Sequence, residues 1–215
     1  MANAHDLLMA QRAAMMANAG EIIPSDCVEV DYISTQSNFN QYLDTGFFPD
    51  ENSGLEISFE RLDYVKEETL AGVYTGYSSG FNFNINMNTE GNIRFDGAVI
   101  RNDGSMFRVG VNETFKINKN GVWSNGYMKG FFADVSAFNS PFPLLISARS
   151  LNGVAGGFSS LKIYSYRIMN GDNIVQDCIP VKRITDGLGY FCNKLTGLLY
   201  GNSGSGVFEI GPEKT

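Results

Sequence analysis

Residues that tolerate a left-handed backbone recur along this chain at short intervals, and their spacing leaves room for little except strands. Asn120-Gly121, Asn125-Gly126, Asn170-Gly171 and Asp186-Gly187 suit two-residue hairpin turns. Pro49-Asp50, Glu90-Gly91-Asn92 and Asn102-Asp103-Gly104 add further breaks. Between these points the residues alternate apolar and polar, or form short apolar runs. Strands are predicted at Val28–Ile33, Leu55–Leu62, Thr69–Tyr74, Asn92–Phe95, Met106–Ile117 and Val122–Met128. Others follow at Phe158–Met169, Ile174–Val181 and Gly189–Cys192. Short strands roughly ten residues apart describe an all-β, antiparallel sandwich or barrel. No unit of roughly 20 to 50 residues repeats, which argues against a propeller or solenoid.

One segment departs from this pattern. Residues 4 to 19 are dominated by Ala, Leu, Met, Gln and Arg, all strong helix formers. Asn3 serves as N-cap, Asp6 sits near the positive helix end, and Asn18-Ala19-Gly20 before Pro24 is a stop. Leu8, Met9, Met15 and Met16 form a narrow apolar stripe with Arg12 beside it. So short an α-helix is not stable alone in water. It either folds back on the strand domain or docks on another protein or on copies of itself. Methionine adapts to irregular partner surfaces and so favours docking. The expected organisation is a helical anchor and linker over 1–27, then one strand domain over 28–215. An anchor this short implies a homo-oligomer, as trimer or dimer.

Charge narrows the partners. Sixteen basic residues face 23 acidic ones, a net charge of −7, with no Lys/Arg run. Phosphate backbones repel such a chain, so nucleic acid is not an expected partner. Lys66-Glu67-Glu68, the longest charge cluster, reads as a solvated turn. No stretch approaches the roughly 18 apolar residues of a membrane span, and His5, Asp6 and Arg12 interrupt any signal-like run. The three cysteines, Cys27, Cys178 and Cys192, lack metal-ligand spacing and read as small buried hydrophobes. A Cys178–Cys192 bridge between neighbouring strands stays open as an alternative. An odd number of cysteines points to assembly in a reducing place such as a bacterial cytoplasm.

Reactive constellations are scarce. His5 is the only histidine and lies in the leading segment, so neither a histidine-activated nucleophile nor a zinc site is expected. Glu56, Ser58 and Glu60 share one strand face and invite comparison with glycosidase carboxylate pairs, but Ser58 stands where an aspartate would tune them. Alternation of this kind is also the default of any strand with one wet face. No cofactor is expected; calcium is the one ion weighed, on Asn102-Asp103 or Asp172-Asn173. Trp123 is the sole tryptophan, and with Asn125 and Tyr127 it forms a candidate glycan contact. The alternative is that Trp123 packs on its own domain or on a neighbouring subunit. Tyr74, Tyr77 and Phe81 carry the same pair of readings.

Several words of the sequence are more specific. Near the front stand Tyr32-Ile33-Ser34-Thr35 and Gln41-Tyr42-Leu43-Asp44-Thr45-Gly46. Near the end stand Ile163-Tyr164-Ser165, Ile179-Pro180-Val181-Lys182 and Tyr200-Gly201-Asn202-Ser203-Gly204. They resemble the opening and closing words of LamG-like, concanavalin A-like jelly-roll domains in structural proteins of tailed bacteriophages, especially those of gut bacteria. The likeness covers residues 28 to 212 in outline, with 62 to 140 matching only as a strand pattern. Gln36 to Asn40 lengthen the first hairpin; Cys178 replaces a usual aromatic and Cys192 a usual aspartate. The residues themselves read as closure devices: Asp44 and Thr45 bond amides around Gly46, and Pro180 suits an edge or strand end.

The resemblance implies a jelly-roll sandwich in a non-enzymatic virion protein, either a capsid-surface decoration or head fibre or a tail-associated protein. It would hold other virion proteins through residues 1–20, with adhesion to host or mucosal glycans as an accompanying role. The alternative is a soluble bacterial carbohydrate-binding module, which calls for a signal peptide or lipobox.

Overall fold

In a computed structural model, residues 20–64, 68–75, 82–87, 91–102, 106–133 and 135–215 are described. The expected helix with Leu8, Met9, Arg12, Met15 and Met16 lies outside them, as do Lys66, Glu67, Tyr77, Phe81 and Asp103. The chain runs through β1 (Cys27–Glu29), β2 (Ile33–Thr35), β3 (Leu43–Asp44), β4 (Ser53–Arg61), β5 (Thr69–Tyr74) and β6 (Asn82–Asn86). Next come β7 (Asn92–Phe95), β8 (Ala98–Arg101), β9 (Asn112–Asn118), β10 (Gly121–Ser124), β11 (Tyr127–Gly130) and β12 (Leu145–Ile146). The last are β13 (Arg149–Leu151), β14 (Val154–Gly156), β15 (Leu161–Asn170), β16 (Asn173–Arg183), β17 (Gly189–Asn193), β18 (Leu199–Tyr200) and β19 (Glu209–Ile210).

These strands form two sheets. The larger has the order β11-β10-β9-β4-β15-β16-β17-β18, with β1 on β16, and β2 between β15 and β19. The smaller has the order β14-β13-β5-β6-β7-β8, with β12 joining β5 to β3. Among the described residues, the named strands pair antiparallel except β13 against β5, and Arg61 and Val109 form an isolated parallel bridge. Leu55, Ile57 and Phe59 of β4 meet Val73, Phe83, Ile85 and Phe95 of the smaller sheet in one apolar core. Aromatic pairs at centroid distances of 5.0 Å (Phe107–Phe115), 5.3 Å (Phe83–Phe95) and 5.4 Å (Tyr166–Phe191) fill it. The architecture is thus a β-sandwich, as the turn spacing predicts.

Turn chemistry explains most strand ends. Asn125 and Gly126 both have positive φ, 51° and 80°, and close the β10–β11 hairpin. The single strand expected over Val122–Met128 is therefore two. Asn152-Gly153, at 51° and 85°, closes the β13–β14 hairpin in the same way. The long strand expected from Met106 is also broken, because Phe107 lies at φ 63° and Gly110 at φ 72°.

The words near the two ends of the domain meet in space. Leu43 bridges Asn202; Asn202 Oδ1 accepts from Tyr42 N (3.3 Å), and Ser203 N donates to Tyr42 O (2.9 Å). Gln41 Nε2 donates to Val207 O (2.6 Å). Asp44 Oδ1 accepts from Gly46 N (2.9 Å), and Thr45 Oγ1 accepts from Phe47 N (3.2 Å) while donating to Leu144 O (2.8 Å). Beside them β19 pairs with β2, so the chain's last strand lies against its second.

Three expectations need correction. Pro180 is inside β16, neither at an edge nor at a strand end. It falls in the gap where β15 stops pairing, at Cys178, and β1 begins, at Val181. Its carbonyl accepts from Val30 N on that side, where its missing N–H also leaves no ladder bond broken. The Cys178–Cys192 bridge does not form, and all three cysteines are free and buried. Cys178 is opposite Asn193 and Cys192 opposite Ile179, so a one-residue offset sends the two thiols to opposite faces. Cys178 joins the main core; Cys192 packs with Cys27 and Val181 in a second apolar cluster. Glu68, expected in a solvated turn, is wholly buried and pairs with the buried Arg61 guanidinium.

Candidate functional site

Strands of the larger sheet alternate inward apolar and outward polar residues, and their register lines the outward ones up in rows. One row crosses the sheet from β10 to β16: Trp123 opposite Lys116, Lys116 opposite Glu56, Glu56 opposite Arg167, Arg167 opposite Asp177. Lys194, just beyond β17, continues it. Lys116 Nζ lies 5.8 Å from the Trp123 ring centroid. Arg167 reaches Glu56 at 3.9 Å and Asp177 at 3.2 Å, and Lys194 reaches Asp177 at 3.4 Å and Glu21 at 2.8 Å.

A second row begins where β15 bulges between Ile163 and Ser165. Tyr164 shares the outer face with Lys162 two residues before it, the bulge adds Ser165 to that face, and the Tyr164 hydroxyl donates to Glu60 Oε2 at 3.0 Å. Burial first, then the hydrogen bond to Glu60 and that carboxylate's charge, push the Tyr164 phenol up to about 12. Lys162 approaches Glu60 at 3.6 Å and lies 5.0 Å from the Tyr32 ring centroid.

Two shallow hollows run along these rows and share Glu56 and Thr114. One, of about 340 Å³, is lined by Ser58, Tyr164, Arg167, Asp177 and Lys194 among others. The other, of about 330 Å³, is closed by Lys116, Trp123 and Gly126. Together they make one open trough ending at the sole tryptophan. Across the strands from β10 to β17 it extends about 24 Å at roughly 4.8 Å per strand.

The residues singled out in the sequence divide between roles. Trp123 is half-buried in the trough wall. Tyr127 is 76% exposed but pairs with Ser124, so it faces the opposite side of the ribbon, and Met128 lies across from Trp123 instead. Asn125 shapes the hairpin: its N donates to Thr114 O (2.7 Å), and its Oδ1 accepts from Thr114 N (2.9 Å). Glu56 and Glu60 do share the wet face, but four residues along a strand separate their Cα atoms by about 13 Å. Each has its own partners, Arg167 for one and Lys162 with Tyr164 for the other.

Tyr74 is buried in the core. Asn102 is buried and its N donates to Gly91 O (2.9 Å), while Asp172 and Asn173 sit exposed at the β15–β16 hairpin. Among the described residues, no group of three or more His, Cys, Asp or Glu is placed to hold a metal ion.

Lys116, Arg167, Asp177 and Lys194 carry the trough, and sequence reading alone did not single them out. Lys116, Arg167 and Asp177 are ordinary outward positions of their own strands and Lys194 follows the end of β17; only the register across the strands makes them neighbours. No protein-family model, curated protein or solved structure matches this chain.

Proposed function

We propose that this chain is an attachment and display protein, a LamG-like jelly roll of the kind carried by structural proteins of tailed-phage virions. It is held to a particle by the residues before Gly20 and turns its sheet face outward for adhesion to host or mucosal glycans. One observation carries the reading: entry and aromatic hairpin lie at opposite margins of one sheet. Ile22 N donates to Lys194 O (2.8 Å) and its side chain abuts Gly197, fixing the entry beside β17. Trp123 stands at β10, five strand steps away. A tether at one margin leaves the other free to project.

The meeting of the 41–46 and 200–204 words supports the jelly-roll part of the reading, because both words are occupied in closing the shell. The test is deletion of residues 1–19. The truncated protein should unfold at the same midpoint as the full chain yet fail to co-purify with assembled particles. Normal incorporation of the truncated form would overturn the anchoring role.

A further inference from the structure

We infer that the trough is a binding site for an acidic saccharide, with a sugar ring stacked on Trp123 and its carboxylate held by Lys116. The inference rests on the adhesive reading above and names the ligand class of that face. Three features carry it. The first is charge. The two hollows are lined by four cations, Lys116, Arg167, Lys194 and Lys214, and by the carboxylates Glu56 and Asp177; Glu21 also pairs with Lys194 and Glu29 with Lys214, so among the described residues Lys116 is the cation of the trough without an acidic partner. On a chain of net charge −7, this one uncommitted ammonium is a local point of attraction for an anion that the rest of the molecule repels, which orients an approaching ligand.

The second feature is the state of Lys116. Arg167 is shared between Glu56 and Asp177, and Lys194 between Asp177 and Glu21. Lys116 forms no salt bridge among the described residues; its neighbour is the face of an indole. Glu56, opposite it in register, is drawn toward Arg167. An ammonium beside an aromatic wall is suited to a ligand that presents an apolar ring face and an anionic edge together. A uronic or nonulosonic acid has that form; a neutral hexose lacks the charge, and a free phosphate lacks the ring.

The third feature is shape. The trough is open and crosses five strand spacings, so it admits a short oligosaccharide more readily than one monosaccharide. Ser58, Thr114 and Ser165 line its floor and can exchange hydrogen bonds with sugar hydroxyls. Gly126 at the Trp123 end, at φ 80° with open space around its missing Cβ, keeps the mouth clear.

Because Trp123 is the only tryptophan, its emission reports the site directly. The full chain is titrated with oligogalacturonate, which carries a carboxylate on every ring, and with a neutral galacto-oligosaccharide of equal length. A saturable emission change is expected with the acidic oligomer at concentrations about tenfold lower than with the neutral one, weakening as salt is added. Lys116→Met should remove that tenfold preference without moving the unfolding midpoint, whereas Lys119→Met should leave it intact. Trp123→Leu, followed by calorimetry, should abolish binding of both.

Equal affinity for the two oligomers, or an unaltered preference in Lys116→Met, would overturn the acidic-sugar assignment while leaving particle attachment untouched. No saturable change with either oligomer would overturn it as well. Attachment is decided separately, by whether the truncation lacking residues 1–19 joins particles.

Discussion

At the scale of single residues, one glycine from the opening words and one from the closing words act for different reasons. A Cβ on Gly204 would be driven into the backbone carbonyl of Asn40, which cannot swing aside as a side chain can. Gly46 has open space around it but holds φ at 63°. Gly204→Ala is therefore expected to cost about 3 kcal/mol, the upper end of overpacking penalties. Gly46→Ala should cost roughly 1–2 kcal/mol, the strain of a left-handed residue with a Cβ. Urea unfolding of the two variants should rank them in that order; equal effects would remove the close-approach argument. The sequence made both glycines legible as turn residues. That Gly204 is pressed against Asn40, 164 positions earlier, was not legible, since nothing local encodes a long-range contact.

The buried thiols set an alkaline limit. Burial pushes Cys178 up to about 12 and Cys192 up to about 11, from an ordinary value of 9.0. In the unfolded chain these thiols lose protons near pH 9, while the folded ones keep them. The folded state then binds more protons, so its stability is complete below about pH 9 and declines as pH rises through the folded values. Cys178→Ala should lower stability at neutral pH through the cavity it leaves, yet flatten the decline between pH 9 and 11. An unaltered slope in urea titrations across that range would exclude Cys178 as a source. The same burial should keep both thiols silent toward thiol reagents until the protein unfolds.

At the scale of elements, the end of β4 is held by charge inside the sandwich. Arg61, 2% exposed, pairs with Glu68 just before β5 and also donates to Met87 O (3.1 Å) and Phe107 O (3.2 Å). One guanidinium thus ties together four segments. Arg61→Met leaves the Glu68 carboxylate buried without this cation and should cost about 3–5 kcal/mol. Adding Glu68→Leu should restore part of that loss, because the unmatched charge disappears, although two carbonyls still lack their donor. A double mutant no more stable than Arg61→Met would mean that the carbonyl bonds, and not the ion pair, carry the effect.

Elements were readable where turn and periodicity agree. β5 and β7 match the strands predicted at Thr69–Tyr74 and Asn92–Phe95. They failed where a short apolar run hides a turn. Asp96, at φ 45°, sends the chain back into β8, and Asn152-Gly153 does the same between β13 and β14. All three of those strands are only three or four residues long, too short for alternation to register. The trough was still less visible, because Lys116, Glu56 and Arg167 come from three strands far apart in sequence. Their adjacency is a property of register alone.

At the scale of the whole molecule, the last residues complete the shell and do not hang from it. Phe208 is buried and meets Phe191 edge-on at 6.4 Å. β19 then pairs with β2, Gly211 N donates to Tyr32 O (2.9 Å), and Lys214 N donates to Glu29 O (3.0 Å). Without these residues β2 would present an unpaired edge, and Ile33, buried in the main core, would lose the strand beside it. Ending the chain at Gly206 should therefore reduce stability by more than Phe208→Ala alone, for which about 3–5 kcal/mol is expected. The truncated protein should also associate through the exposed edge, whereas the point variant should stay at its original size. Thermal unfolding and size-exclusion chromatography of the two forms separate these effects. If both variants melt together and elute together, the single ring matters and the final strand is an appendage. If the truncation melts earlier than the point variant and is the only one of the two to associate, β19 is the element that closes the larger sheet.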